Sequence, residues 1–177
     1  MATMTSVRRV AGLVLAVALL ATACGNGGDT SAVDAAVTDS STTTAPAVLD
    51  FTAETVGGET FDGATLAGKP TVFWFWAPWC PTCRAQISGV SDLAATHGTT
   101  INVVGVGSLD DPGAIEEFAA GVSPEVTVLT DPEGAVWRQL GVTAQSTYLV
   151  LDAAGTEQAS GYLDDAELAE LVADLAD

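Results

Sequence analysis

The chain has 177 residues, 48% of them hydrophobic, and carries 23 acidic against five basic residues, for a formal net charge of −18 at neutral pH. An envelope this acidic repels phosphate backbones and anionic lipid headgroups, which argues against nucleic acid as a partner and against membrane binding by charge. The length suffices for one domain of ordinary size, but the two ends differ in composition, so the folded part is expected to be shorter than the chain.

Arg8 and Arg9 precede an apolar stretch, residues 10–21, that is too short to span a bilayer and ends in small residues. It reads as a secretory signal over residues 1–23. Cys24 follows Leu20-Ala21-Thr22-Ala23, which resembles the lipobox of bacterial lipoproteins and implies that Cys24 becomes the lipidated first residue of the mature chain. Residues 24–46 are mostly Gly, Ser, Thr, Ala and Asp, a composition that buries too little surface to offset its ordering entropy and reads as a flexible tether. The expectation is an extracytoplasmic head held to the cell membrane through the lipid anchor only, or a secreted one if Cys24 is unmodified. Leader removal leaves Lys69, Arg84 and Arg138 as the only cations beside the 23 acids.

Residues 47–177 alternate short apolar runs with amphipathic stretches, the pattern of an α/β domain with a central sheet. Residues 48–52 and 59–61, joined through Gly57-Gly58, predict an N-terminal β-hairpin. Residues 70–76 form a buried central strand, and residues 81–96 a helix with Ile87, Val90 and Ala94 on one face. A strand over 101–107 leads to a helix opened by Asp111-Pro112, with Ile115, Phe118 and Ala119 inward. A strand over 126–129 precedes a second Asp-Pro opening, Asp131-Pro132, whose helix carries Val136, Trp137 and Leu140 and stops at Gly141. Strands over 147–151 and 157–160 join through a turn at 152–155. A final helix over 164–175 begins with a capping box, Asp164 and Glu167, and presents Leu168, Leu171, Val172 and Leu175.

The chemistry concentrates at Trp79-Cys80-Pro81-Thr82-Cys83. Cys80 falls where the central strand stops and the helix begins, so orphan N–H groups and the positive end of the helix dipole favour its thiolate and lower its pKa. Cys83 lies within the first turn, close enough for a disulfide. The pair reads as a redox-active dithiol that needs no cofactor. A zinc site is excluded because there is no second cysteine pair and His97 is the sole histidine. A structural disulfide is the weaker alternative, since so small a ring removes little chain entropy. Thr82 is placed to donate a hydrogen bond to a sulfur, and Arg84 brings the one nearby positive charge; both favour the thiolate and lean towards a more oxidising couple. His97 reads as a solvated or helix-capping residue.

The element order and the segment Phe73-Trp-Phe-Trp-Ala-Pro-Trp-Cys-Pro-Thr-Cys83 resemble the TlpA/ResA/DsbE group of extracytoplasmic thioredoxin-like proteins, nearest to the actinobacterial DsbE-like lipoproteins. Asp50-Phe51-Thr52, Gly68-Lys69-Pro70, Asp131-Pro-Glu-Gly134 and Leu140-Gly141-Val142 carry the likeness along the domain. It implies a thioredoxin-like fold, a central mixed sheet flanked by helices, with an N-terminal β-hairpin and an inserted strand-helix segment. It also implies a protein-disulfide oxidoreductase in which Cys80 is the exposed attacking sulfur and Cys83 the resolving one. Trp79, Pro81, Thr82, Gln145, Ser146 and Thr147 would contact the substrate. Its partners would be thiols or disulfides of exported proteins, as in cytochrome c maturation or disulfide formation, and a membrane or extracytoplasmic redox partner that recharges the pair.

Three positions depart from the family pattern. Ser146 stands where the loop facing the dithiol normally has a cis-proline, so an altered or strained loop is expected, and a hydroxyl that can reach a sulfur. Trp74 stands where many thioredoxins have a buried acid, and Gln86 where many TlpA-like proteins have glutamate, which removes the usual proton acceptors for Cys83. Trp74 and Trp76 read as core on one strand face, and Trp79 as exposed. Two other functions remain open: a non-catalytic binding module on the same scaffold, and a thiol peroxidase, whose Pro-x-x-x-Thr-x-x-Cys signature is absent.

Overall fold

The computed structural model describes residues 45–176. The leader, Cys24 and the tether up to residue 44 lie outside the described residues. In chain order the elements are β1 (Thr52–Thr55), β2 (Thr60–Asp62), β3 (Thr71–Trp76), α1 (Pro81–His97), β4 (Asn102–Gly107), α2 (Pro112–Ala119), β5 (Thr127–Thr130), α3 (Ala135–Gln139), β6 (Thr147–Leu151), β7 (Glu157–Gly161) and α4 (Asp165–Ala176). Among the described residues no helix is long and apolar enough to cross a membrane.

The strands form one seven-stranded mixed sheet in the order β2-β1-β5-β4-β3-β6-β7. β3 pairs parallel with β4 and antiparallel with β6, and β4 pairs parallel with β5. The hairpin β1–β2 joins the sheet through β5. Between β4 and β6 the chain inserts α2, β5 and α3.

All six residues of β3 are buried, as its continuous apolar run requires of a strand covered on both faces. The period of two divides them: Val72, Trp74 and Trp76 face a cluster built with Val90, Leu93, Ile115, Phe118, Leu168 and Val172, from α1, α2 and α4. Phe73 and Phe75 face a second cluster with Val136 and Trp137 of α3 and with Leu49 and Leu66. Room for two indoles on one face comes from the neighbouring strand, since Trp74 pairs with Gly105 and Trp76 with Gly107. A Cβ at Gly107 would stand 2.6 Å from two carbons of Trp76.

The caps at Asp111 and Asp164 form as their side chains dictate. Asp111 accepts from the N–H of Ala114 (3.1 Å), while Asp164 accepts from Glu167 N–H (2.9 Å) and Glu167 returns a bond to Asp164 N–H (3.0 Å). Two expectations are corrected. Residues 48–52 are not a strand: Ala47–Leu49 is a 3-10 turn that drops Leu49 into the second cluster, and the hairpin strand starts at Thr52. Asp131-Pro132 does not open its helix either, because α3 begins at Ala135. Gly134, at φ 66°, first reverses the chain, and the buried Asp131 carboxylate reaches over that turn to accept from Ala135 N–H (2.7 Å) and Trp137 N–H (3.0 Å).

Candidate active site

β3 ends at Trp76, and a short Ala77-Pro78-Trp79 turn, closed by the Cys80 N–H on the Ala77 carbonyl (3.1 Å), delivers Cys80 to the N-cap of α1. Pro81 occupies the first turn, where its missing N–H costs nothing. The Cys80 sulfur takes the place of a capping oxygen and accepts the Cys83 N–H at 3.1 Å. A negative sulfur there is favoured both by that bond and by the dipole of a 17-residue helix. Cys80 and Cys83 are joined as a disulfide, with Cα atoms 5.3 Å apart.

Antiparallel pairing brings the facing loop to this point. Thr147, the first residue of β6, pairs with Phe75 near the end of β3, so Ser146 just before it lies over the dithiol. The Ser146 Oγ is 3.1 Å from the Cys80 sulfur and 3.2 Å from the Cys83 sulfur. Its φ of 61° lies in the left-handed region, so the loop has the altered shape expected without proline. Gln145, Ser146 and Thr147 are all half-buried.

That loop explains the main correction at the site. Cys80 was expected to present an exposed sulfur; as the disulfide, the residue is only 4% exposed with the Ser146 hydroxyl beside its sulfur, and Cys83 is fully buried in the apolar core. A second correction concerns Thr82, whose side chain is exposed. Among the described residues the hydroxyl that reaches the sulfurs belongs to Ser146. Pro81 is exposed beside it. The Arg84 guanidinium donates to the Pro78 carbonyl (3.2 Å) and lies 4.9 Å over the Phe118 ring, so it braces the turn.

Trp79 is 55% exposed, and its indole N–H donates to the carbonyl of Leu109 at 3.2 Å. Leu109 is itself 48% exposed with φ 62°. The two make an apolar shoulder beside Cys80 that the sequence reading missed on the Leu109 side. The available signal was one leucine in the otherwise polar Ser108-Leu-Asp-Asp111 loop.

Beneath the dithiol, Trp74 and Gln86 meet. The Trp74 indole N–H donates to Gln86 Oε1 at 3.0 Å within the core, and Gln86 Nε2 has no protein partner. Tyr148 pairs with Trp74 across the sheet; its buried hydroxyl is also without a partner. Burial first, then the charges of Asp165 and Tyr162, push its pKa well above the usual phenol range. His97 sits in the last turn of α1, at the end of the helix remote from the dithiol.

Known proteins share this fold. Over 108 residues the chain is 40% identical to the soluble secreted antigen MPT53 of Mycobacterium tuberculosis, a match covering 61% of this chain and 62% of MPT53's own length. The solved structure of MTB dsbF superposes with a TM-score of 0.70 at 41% identity, over 75% of this chain and 99% of dsbF. A secreted Mycobacterium tuberculosis disulfide oxidoreductase homologous to E. coli DsbE gives a TM-score of 0.65 at 36% identity, over 72% of this chain and 98% of that one. The architecture is the mixed α/β thioredoxin-like fold of these neighbours. The family model described as Redoxin matches residues 40–175, and the chain therefore belongs to the Redoxin family.

Proposed function

We propose that the protein is a thiol-disulfide oxidoreductase of the DsbE type that exchanges disulfides with exported proteins outside the cytoplasm through Cys80-Pro81-Thr82-Cys83. The observation that carries this reading is the closed Cys80–Cys83 pair at the N-terminus of α1, with the Cys80 sulfur already receiving the Cys83 N–H. In the reduced couple the Cys80 thiolate attacks one sulfur of a client disulfide, and the other client sulfur leaves. Cys83 then attacks the Cys80 sulfur of the mixed disulfide, the client departs as a dithiol, and the pair is oxidised. The reverse sequence oxidises a client dithiol. Trp79, Gln145, Ser146 and Thr147 form the rim that a client backbone would meet, Trp79 supplying apolar contact and the loop before β6 an edge for strand pairing.

The names of the relatives, a secreted disulfide oxidoreductase and a secreted antigen, support the activity and the extracytoplasmic setting. Anchoring through a lipid on Cys24 is part of the same proposal, and mass spectrometry of the mature N-terminus tests it. Catalysed reduction of insulin and refolding of a reduced disulfide protein test the activity, with Cys80→Ser as control. A rate above that control supports exchange, and the reduction potential of the pair assigns its direction. Rates equal to the control in both assays would leave a binding module instead.

A further inference from the structure

Deepening that reading of the dithiol, we infer that Ser146 is a catalytic residue: its hydroxyl stabilises the Cys80 thiolate and relays the proton of Cys83 during resolution. A hydroxyl has one donor and two acceptor positions, and this one stands 3.1 Å and 3.2 Å from the two sulfurs. In the reduced couple both contacts are satisfied in one direction only. Cys83 is fully buried in an apolar cluster, so desolvation holds it as the thiol. Cys80 receives the Cys83 N–H and the helix dipole, so it holds the charge. Cys83 S–H therefore donates to Ser146 Oγ, and Ser146 O–H donates to the Cys80 thiolate.

The same chain of bonds serves resolution. Once Cys80 is joined to a client sulfur, the Cys83 sulfur forms its bond to Cys80 as the Cys80–client bond breaks. The electron pair of that bond goes to the client sulfur. The Cys83 proton passes to Ser146 Oγ, which releases its own proton to the departing client thiolate. Atoms and electrons balance with no further oxidant, reductant or metal. No side-chain carboxylate competes for the role at the two positions where the family places one, because Trp74 and Gln86 occupy them and bond to each other.

The left-handed φ of Ser146 makes Ser146→Gly the variant with least backbone strain, since glycine adopts that conformation freely while losing the hydroxyl together with its Cβ. Ser146→Ala removes the same group and retains a Cβ. Two measurements apply to the full chain: thiolate absorbance of the reduced protein against pH, and release of glutathione from a preformed Cys80–glutathione mixed disulfide. Both variants are expected to raise the Cys80 titration midpoint by about one unit. Both should slow glutathione release about 100-fold near neutral pH. The deficit should close at alkaline pH, where Cys83 ionises unaided, a convergence that mere loosening of the loop would not produce. An unchanged midpoint and rate in either folded variant overturns the inference, as does a deficit that persists at all pH. Wild-type protein that forms no mixed disulfide would sink the oxidoreductase reading itself, whereas wild-type exchange matched by both variants would remove only the role of Ser146.

Discussion

Alanine at Gly107 places a methyl group against the strand that carries the dithiol, and the coordinates set the size of the perturbation. The added Cβ would stand 2.6 Å from Cη2 and Cζ2 of Trp76 and 2.8 Å from Cγ2 of Ile115, about 1 Å inside the optimum for carbon pairs. Neither neighbour has space to retreat: both are fully buried, and the Trp76 ring is stacked on Phe118 at 4.3 Å between centroids. Overpacking of this kind costs about 1–3 kcal/mol, and a rigid double contact belongs at the upper end. Loss of glycine returns about 0.4–1 kcal/mol through the unfolded chain. The net destabilisation is then about 2 kcal/mol, or a Tm lower by roughly 6–8 °C. Gly105, two residues earlier on the same strand face, is the internal control. There the Cβ meets Trp76 Nε1 at 3.1 Å and Trp74 Cε3 at 3.3 Å, which a shift of a few tenths of an ångström relieves, so the two opposing effects cancel to within about 1 kcal/mol. Urea unfolding of the oxidised protein measures both. Equal losses at the two sites, or a larger loss at Gly105, would refute the claim that these glycines exist to seat the indoles of β3.

Asp131→Ala leaves the N–H groups of Ala135 and Trp137 without their carboxylate and should cost about 2–3 kcal/mol in urea unfolding; a change below 0.5 kcal/mol, on the order of a surface substitution, would show that Asp131 does not hold α3. Tyr148→Phe removes a buried hydroxyl that has no partner, so stability at neutral pH is expected to stay level or rise by up to about 1 kcal/mol. The same variant tests the sign of the Tyr148 titration. Its folded pKa is raised from 10.0 by burial, so the stability it contributes is present below that value and is lost, by about 1.4 kcal/mol per pH unit, as pH rises above it. Wild type should therefore unfold more readily than Tyr148→Phe above about pH 10, and parallel pH curves would contradict this. Trp79→Ala, at an exposed position, should lower exchange with a protein client several-fold while leaving Tm and exchange with glutathione unchanged; equal loss with both substrates would mean the indole shapes the dithiol and not the client surface.

What the sequence makes legible is what depends on neighbours in the chain. The strand-to-helix step at Cys80, the cap at Asp111 and the capping box of Asp164 with Glu167 each rest on bonds spanning a few residues. The onset of α3 was misplaced because Asp131 caps across a left-handed glycine turn, a longer reach than the Asp-Pro pattern normally signals. Leu109 was overlooked because its role comes from a bond to Trp79, 30 residues away. The covering of Cys80 depends on a pairing still more remote, 66 residues along the chain. Local pattern placed both sulfurs, and the departure from the family pattern pointed to Ser146 as a hydroxyl that can reach one; the register of β6 on β3 brings it to both, while Thr82 is exposed.

The departures at Trp74 and Gln86 are one structural event. The indole at position 74 fills the space beneath the dithiol and packs against Gly105, the facing residue on β4. Its N–H then needs an acceptor inside the core, and Gln86, one turn beyond Cys83 on α1, supplies a neutral one at 3.0 Å. A carboxylate in the same place would raise the energy of a thiolate at Cys80 by like-charge repulsion in a poorly screened interior. Exchanging it for an amide removes that penalty while the Cys83 N–H and the start of α1 remain. The thiolate, and with it the reduced form of the couple, is favoured accordingly, each pKa unit corresponding to about 30 mV towards a more oxidising pair. In a chain whose acidic residues so outnumber its basic ones, the neutrality of this pocket shows where charge was kept out. Among the described residues it also leaves the proton of Cys83 with the Ser146 hydroxyl, which lies within hydrogen-bonding distance of both sulfurs.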